Sequence, residues 1–172
     1  CIVSALFFLL SFLGNKEFCV LKDSTEQYIT CEKAAKDLQD GSDYLTEQVR
    51  LYATTGQREY LDNYFHEAND VRRRELAIEK LKKYFDNTQA FNALKSALDY
   101  STKLMDTEYY SMRLVLEAEK LNAATWPDEI KSVELSAEDE ALSASDKMKR
   151  AQYMVSDRIY QNARTDISGK VS

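Results

Sequence analysis

Residues 43–61 have the sequence DYLTEQVRLYATTGQREYL, and this stretch decides the fold. Leu45, Val49 and Tyr52 follow one another at spacings of four and three, which is typical of one face of a helix. Beyond Gly56 a second pattern of this kind begins. Glycine commonly ends a helix because it adopts the left-handed conformation without steric cost. A turn this short requires two antiparallel helices, so the stretch predicts half of a four-helix bundle.

The composition of the whole chain favours an all-α protein. Its 172 residues include one Pro and four Gly, so few positions would interrupt a helix. The net charge is −6, which offers no basic face for a nucleic acid. The three cysteines, Cys1, Cys19 and Cys31, lie near the start of the sequence. Cys19 and Cys31 are about 18 Å apart along one predicted helix, too far for a disulfide within the chain.

The apolar periodicity predicts four helices in an up-down-up-down bundle, over residues 18–55, 58–86, 88–121 and 137–168. In the second helix, the run Arg72-Arg73-Arg74 is expected on a solvated face, with Glu75 and Glu79 as ion-pair partners. A loop over residues 122–136 contains Trp126 and the only proline. The expected inward residues of the first helix are Leu21, Tyr28, Ala35, Leu38, Ser42, Leu45, Val49 and Tyr52. Those of the fourth are Ala141, Ala144, Met148, Ala151, Val155 and Ile159.

The first residues of the chain form an uncharged segment. Residues 1–13, CIVSALFFLLSFL, are too few to cross a bilayer, which takes about 20 residues. Three interpretations compete: the end of a transmembrane helix, the apolar region of a signal peptide, and a buried helix. We favour the first. The sequence therefore predicts a partial transmembrane helix over 1–14, a bundle over 15–170, and a second membrane span after residue 172.

The residue types needed for catalysis are not arranged in any familiar pattern. The only histidine is His66, whereas a metal site needs several His or Cys ligands at suitable spacing. A di-iron bundle needs Glu-x-x-His pairs, and Asn63 stands where the glutamate would be. The four glycines form no phosphate-binding loop. We therefore expect no enzymatic activity, no metal and no cofactor, and we also disfavour phosphotransfer through His66.

Polar residues are nevertheless expected between the helices. Counting across the turns places position 46 level with 66, and 66 level with 108. Glu108 lies on the apolar stripe of the third helix, and a buried charge needs a partner such as Arg50. The candidates for a ligand pocket or for a salt-bridge network that fixes helix register are Asp43, Glu47, Arg50, Asn63, Tyr64, His66, Glu67, Glu108 and Tyr109. The sequence leaves both interpretations open.

Several separated segments carry a family resemblance. Residues 41–74, GSDYLTEQVRLYATTGQREYLDNYFHEANDVRRR, resemble the extracytoplasmic four-helix-bundle sensor domains of bacterial transmembrane signalling proteins, especially clostridial ones. The similarity continues in EYYSMRLVLEAE at 108–119, in Trp126-Pro127, and in ELSAEDEALSASDKMKRAQYMVSDRIYQN at 134–162.

The resemblance implies a signal-input domain in the bacterial cell membrane, facing the extracytoplasmic side and placed between two membrane spans. It implies a homodimer that responds to an unidentified small molecule or protein. Its output would pass to a cytoplasmic diguanylate cyclase or a histidine kinase of a two-component system. Two alternatives are a structural dimerisation or spacer bundle without a ligand, and a cytoplasmic phosphotransfer or adaptor bundle.

Overall fold

A computed structural model describes the backbone of residues 2–86 and 88–171, and the side chains of residues 24–86, 88–167 and 169. This part of the chain is all helical and contains no strand. The predicted all-α class is therefore confirmed. The α-helices are α1 (Ile2–Thr55), α2 (Arg58–Phe65), α3 (Arg73–Phe85), α4 (Gln89–Ala118), α5 (Asp128–Lys131), α6 (Ala137–Glu140), α7 (Ala144–Met154) and α8 (Arg158–Val171).

The first helix is longer than expected, because α1 begins at Ile2 rather than at residue 18. Its inward stripe is confirmed from Leu38 to Tyr52, whereas Tyr28 is 69% exposed. Among the described residues, the buried core begins at Ala34, and Tyr28 lies before it on α1. Among the described residues, no helix has the length and apolar character needed to span a bilayer. The side chains of the predicted membrane segment 1–14, and Cys1 itself, lie outside the described part.

The turn after α1 has the predicted geometry. Gly56 has φ of 69°, and its N–H donates to the carbonyl of Tyr52 at 2.8 Å. This left-handed residue ends α1, and α2 begins at Arg58. The chain then folds back so that α2 and α3 both pack against α1.

The second predicted helix, 58–86, is interrupted. A π-helical turn, His66–Val71, separates α2 from α3, and Arg72 takes the left-handed conformation with φ of 52°. Glu67 is buried in this turn, where its carboxylate accepts hydrogen bonds from Nη2 of Arg73 at 2.7 Å and from Nε of Arg73 at 2.9 and 3.0 Å. The π-helical turn therefore places Glu67 inside, next to Arg73. The prediction of one continuous helix over 58–86 is wrong, because this turn and the left-handed Arg72 interrupt it.

Gly41 of α1 faces this interruption. A methyl group at Gly41 would lie 2.9 Å from Cγ of Arg74 and 3.4 Å from Oε1 of Glu67. The missing side chain thus lets α1 approach the arginine run closely. Of that run only Arg72 is exposed, whereas Arg74 is 2% exposed. The prediction of a solvated face is wrong for Arg74, although Arg74 pairs with Glu75 at 3.1 Å and Arg72 with Glu79 at 3.8 Å.

The third predicted helix is confirmed as α4, within three residues at its end. Thr88 caps its first turn by accepting a hydrogen bond from the N–H of Phe91 at 3.2 Å. After α4 the chain forms a 3₁₀ turn, Ala123–Thr125, and Trp126 then packs on the core. The guanidinium of Arg113 lies 4.3 Å from the Trp126 ring centroid.

The fourth predicted helix, 137–168, is three helices. Ser136 caps α6 as expected, since its hydroxyl accepts from the N–H of Asp139 at 3.1 Å. Residues 141–143 and 155–157 then interrupt the helical path, and Asp157 caps α8 by accepting from the N–H of Tyr160 at 2.7 Å. The second interruption changes the phase of the helix. Ile159, expected inside, is 78% exposed, and Tyr160 is buried in its place.

The core lies where α4 meets α1 on one side and α7 and α8 on the other. Its fully covered large side chains come from α1, α2, α3, α4, α5 and α8. They are Leu38, Leu45, Val49, Tyr52, Leu61, Tyr64, Leu81, Met112, Leu114, Leu116, Ile130 and Tyr160. Several buried polar side chains interrupt this core, and one group of them surrounds Glu108.

Candidate functional site: a buried carboxylate between four helices

The centre of the polar core is the carboxylate of Glu108 on α4, which is 2% exposed. Its Oε2 accepts a hydrogen bond of 2.5 Å from the hydroxyl of Tyr64 on α2. Its Oε1 accepts a hydrogen bond of 2.5 Å from the hydroxyl of Tyr160 on α8. Each carboxylate oxygen thus has a phenol donor from a different helix. Hydrogen bonds to a carboxylate are the stronger kind, so this one side chain fastens α2 and α8 to α4.

The first helix joins the same group through Tyr160. The Tyr160 hydroxyl lies 3.3 Å from Oγ1 of Thr46 on α1, and the Arg50 guanidinium lies 5.5 Å from the Tyr160 ring centroid. Nε of Arg50 also donates to the carbonyl of Val155 at 2.8 Å. Arg50 therefore holds the chain where α7 gives way to α8. We call Thr46, Tyr64, Glu108 and Tyr160 the Glu108 layer, since these side chains connect α1, α2, α4 and α8 at one level.

A buried cation lies beside this layer. Arg74 of α3 donates to the hydroxyl of Ser101 at 2.8 Å and to Glu75 at 3.1 Å. Ser101 in turn lies 3.1 Å from the hydroxyl of Ser42 on α1. A cavity of about 10 Å³ borders Ser42, Arg74, Ser101 and Glu108. A space of this size holds about one water molecule, so the side chains around Glu108 fill the interior between the helices.

Burial controls the electrostatics of the Glu108 layer. Removal from water raises the pKa of Glu108 above its ordinary value of 4.5, although the hydrogen bonds from Tyr160 and Tyr64 and the charges of Arg74 and Arg164 act in the opposite direction. Burial and the neighbouring Glu108 charge likewise raise the pKa of Tyr64 and Tyr160. The layer thus retains its protons more strongly than the same groups would in water.

Two of the predicted candidates, Tyr64 and Glu108, lie together at the centre. Four more lie around them with partners of their own. Asp43 accepts from Arg164 at 2.7 Å, Asn63 donates to Gln48 at 3.3 Å, and Arg50 binds the Val155 carbonyl rather than a carboxylate of α4. The Tyr109 ring stacks on Phe65 with centroids 5.8 Å apart, and burial raises its pKa to about 12.

The other candidates lie apart from the Glu108 layer. The side chain of Glu47 is exposed on α1. His66 is 67% exposed and contacts Asp70 at 3.0 Å, because the inward position on α2 belongs to Tyr64, two residues earlier. Glu67 is buried, but with Arg73 and away from Glu108. The prediction that residue 66 lies level with Glu108 is therefore wrong. Tyr64, about half a helical turn earlier, lies there instead.

Three residues in or beside the Glu108 layer were not predicted from the sequence. They are Thr46, Arg74 and Tyr160. Tyr160 was overlooked because an uninterrupted fourth helix puts Ile159 inside. Ser156-Asp157 carries the signal that would have corrected this, since Asp is a favoured helix cap and begins a new helical phase. Nothing in the arginine run distinguishes Arg74 from its two neighbours.

The layer contains no arrangement of a nucleophile with a base, and among the described residues no three His, Cys, Asp or Glu side chains are grouped to hold a metal. What it can do chemically is hold a carboxyl proton between two phenols and join four helices through it. Comparison with family models, with curated proteins and with solved structures gave no match for this chain.

Proposed function

We propose that the helical segments form an up-down-up-down bundle that serves as the extracytoplasmic signal-input domain of a membrane-bound bacterial signalling protein. In this proposal the segment 1–14 belongs to a membrane span, the bundle acts as a homodimer, and a conformational change passes to a cytoplasmic output module. The chain itself carries no catalysis and binds no nucleic acid.

The observation that supports the proposal is the Glu108 layer. The hydroxyl of Tyr160 on α8 donates to the buried carboxylate of Glu108 and also lies 3.3 Å from Oγ1 of Thr46 on α1. Hydrophobic side chains of similar volume would hold helices together as well or better. A polar junction, in contrast, has alternative hydrogen-bond patterns, so a ligand or a proton can bias it between packings of similar free energy.

The uninterrupted first helix supports the same proposal. Because α1 is a single helix over Ile2–Thr55, a displacement of Thr46 passes along hydrogen-bonded backbone to the apolar end. The chain from Tyr160 onward is also helical, to Val171. Tyr160 thus connects α1 and α8, which are the first and the last helix of the described chain.

A structural spacer is the second candidate. Its support is the filled interior, since a cavity of about 10 Å³ at this level admits no ligand larger than water. The buried Glu108 and Arg74 weigh against it, because their desolvation costs stability that an apolar core of the same volume would keep.

The experiment uses the intact membrane protein in vesicles, with the output of its cytoplasmic module as the readout. Tyr160→Phe and Glu108→Gln are each expected to change basal output by about threefold or more, which is the population shift for a change of roughly 0.7 kcal/mol. The matched control is Tyr153→Phe, a tyrosine of α7 that is 59% exposed. Output equal to wild type in both layer variants, with the fold retained, would leave the spacer as the function.

A further inference from the structure

A groove opens to solvent directly outside the Glu108 layer. It lies between α4 and the junction of α7 with α8, and its volume is about 340 Å³, within the range of small-molecule sites. The groove exists because the chain leaves the helical path at residues 155–157. Its inner wall includes Tyr160, whose hydroxyl points the other way, to Glu108.

The walls of this groove are mainly apolar. Leu104 of α4 and Tyr160 of α8 are buried beneath it, and Met154 of α7 is partly covered. Ile159 stands at the edge with 78% of its surface exposed. A hydrocarbon group lying in the groove would cover the exposed surface of Met154 and Ile159. Such burial contributes roughly 25 cal/mol per Å² of apolar surface removed from water.

Two cations border the same groove. Lys103 has no carboxylate within ion-pair distance among the described residues, and its Nζ lies 5.7 Å from the ring centroid of Tyr100. Arg150 is 45% exposed, and it contacts the carboxylate of Asp139 at 3.5 Å. The acidic side chain of the groove, Asp157, already accepts the α8 capping hydrogen bond from Tyr160 at 2.7 Å. The groove therefore offers two cationic side chains beside an apolar surface, and Lys103 is the one without an ion-pair partner among the described residues.

We propose that this groove binds a small amphipathic monocarboxylate, with the carboxylate held by Lys103 and Arg150 and the hydrocarbon part against Leu104, Met154 and Ile159. The proposal rests on the signal-input function and names the class of its signal. Tyr160 is buried beneath the groove and its hydroxyl donates to Glu108, so a ligand packed over it would act on the attachment of α8 to the Glu108 layer.

The test uses the 172-residue chain, labelled with ¹⁵N, and sodium hexanoate as the probe. Saturable shifts of the amide signals of Lys103, Ile159 and Ala163 are expected on titration with hexanoate. Hexanamide has the same hydrocarbon chain without the charge, and it is expected to bind at least about tenfold more weakly, a difference of 1.4 kcal/mol. Equal affinity for the amide, or no saturable shift with hexanoate, overturns the proposal.

Matched variants separate the groove from overall charge. Lys103→Gln combined with Arg150→Gln is expected to weaken hexanoate binding at least about tenfold. The control, Lys149→Gln combined with Lys131→Gln, removes the same charge from two exposed lysines outside the groove and is expected to leave affinity unchanged. Equal weakening in both pairs overturns the proposal. Circular dichroism melting curves establish that each variant is folded.

The proposal and the signal-input function fail separately. Binding that depends on Lys103 and Arg150, with no effect of hexanoate on the output of the intact protein, retains the groove as a carboxylate site and contradicts its role as the signal site. Output that changes in Tyr160→Phe, with no hexanoate binding to the chain, retains the input function and contradicts the groove.

Discussion

The hydroxyl of Tyr160 donates a 2.5 Å hydrogen bond to Glu108, and only 3.3 Å separates the same oxygen from Thr46. Two acceptors are thus available to one phenol proton. When Glu108 is ionised, Tyr160 donates to it. When Glu108 is protonated, its own O–H can donate to Tyr160, which then donates to Thr46. The junction is satisfied in either state, so protonation changes the hydrogen-bond directions without leaving a buried group unpaired.

The stability of the protein is expected to depend on pH through Glu108. Because burial raises the folded-state pKa of Glu108 above 4.5, the unfolded chain releases this proton first as the pH rises. The free energy of unfolding of the wild type therefore falls, relative to that of a variant with a neutral side chain at position 108, between about pH 4.5 and the folded-state pKa of Glu108. Above that pKa the difference between the two proteins stays constant. Glu108→Gln is therefore expected to gain stability over wild type with increasing pH, measured by urea unfolding between pH 4 and 8.

The matched control for that series is Glu47→Gln, the same change at an exposed position on α1. It is expected to show a stability difference from wild type that barely varies with pH. A pH-independent difference for Glu108→Gln as well would contradict the assignment of a raised pKa to the buried carboxyl.

Gly41→Ala is expected to destabilise the protein by about 1–3 kcal/mol, as overpacking in a filled core does. The new methyl group would lie 2.9 Å from Cγ of Arg74, and this clash outweighs the gain of about 1 kcal/mol in helix propensity. Gly169→Ala is the control, since no atom of the described residues lies within 4 Å of a methyl group there. Chemical unfolding is expected to give opposite signs for the two variants, and a stabilised Gly41→Ala would show that α1 does not need this close approach.

Arg72→Gly is expected to be neutral or to stabilise the protein by up to about 1 kcal/mol. The left-handed conformation at φ of 52° costs a non-glycine residue about 1–2 kcal/mol, and the greater freedom of glycine in the unfolded chain offsets about 1 kcal/mol of the relief. The ion pair lost with Glu79, 3.8 Å away and exposed, contributes little.

Arg72→Ala keeps the left-handed strain and loses the same ion pair, so it serves as the comparison. Thermal unfolding is expected to rank Arg72→Gly above Arg72→Ala. The reverse order would mean that the turn between α2 and α3 is not held in the left-handed conformation.

Arg74→Met is expected to cost about 1–3 kcal/mol, because a buried arginine gives up its hydrogen bonds to Ser101 and Glu75. Methionine preserves most of the apolar stem, so the loss reports on the guanidinium. Arg72→Met, at the exposed end of the same run, is expected to change unfolding free energy by less than about 0.5 kcal/mol. Similar values for both variants would contradict the burial of Arg74.

Apolar periodicity predicted the buried positions correctly where a helix is unbroken, and incorrectly beyond an interruption. The stripe from Leu38 to Tyr52 was predictable because α1 is unbroken, so a fixed spacing stays in phase along it. Glu108 was predictable for the same reason on α4. Ile159 was placed inside wrongly because the spacing rule carries no information about an interruption at residues 155–157. The interruption before Arg73 depends on Glu67 and Gly41, which are distant in sequence from each other, and local periodicity does not contain such pairings.

The length of α1 turns small tilts into large displacements. Thr46, its contact with the Glu108 layer, lies about 66 Å along the helix axis from Ile2. A rigid rod of this length is a lever, and a tilt of about one degree at Thr46 moves the far end sideways by about 1 Å. If an exchange of hydrogen-bond partner at Tyr160 tilted α1 at Thr46, the resulting displacement would therefore be largest at the opposite end of α1.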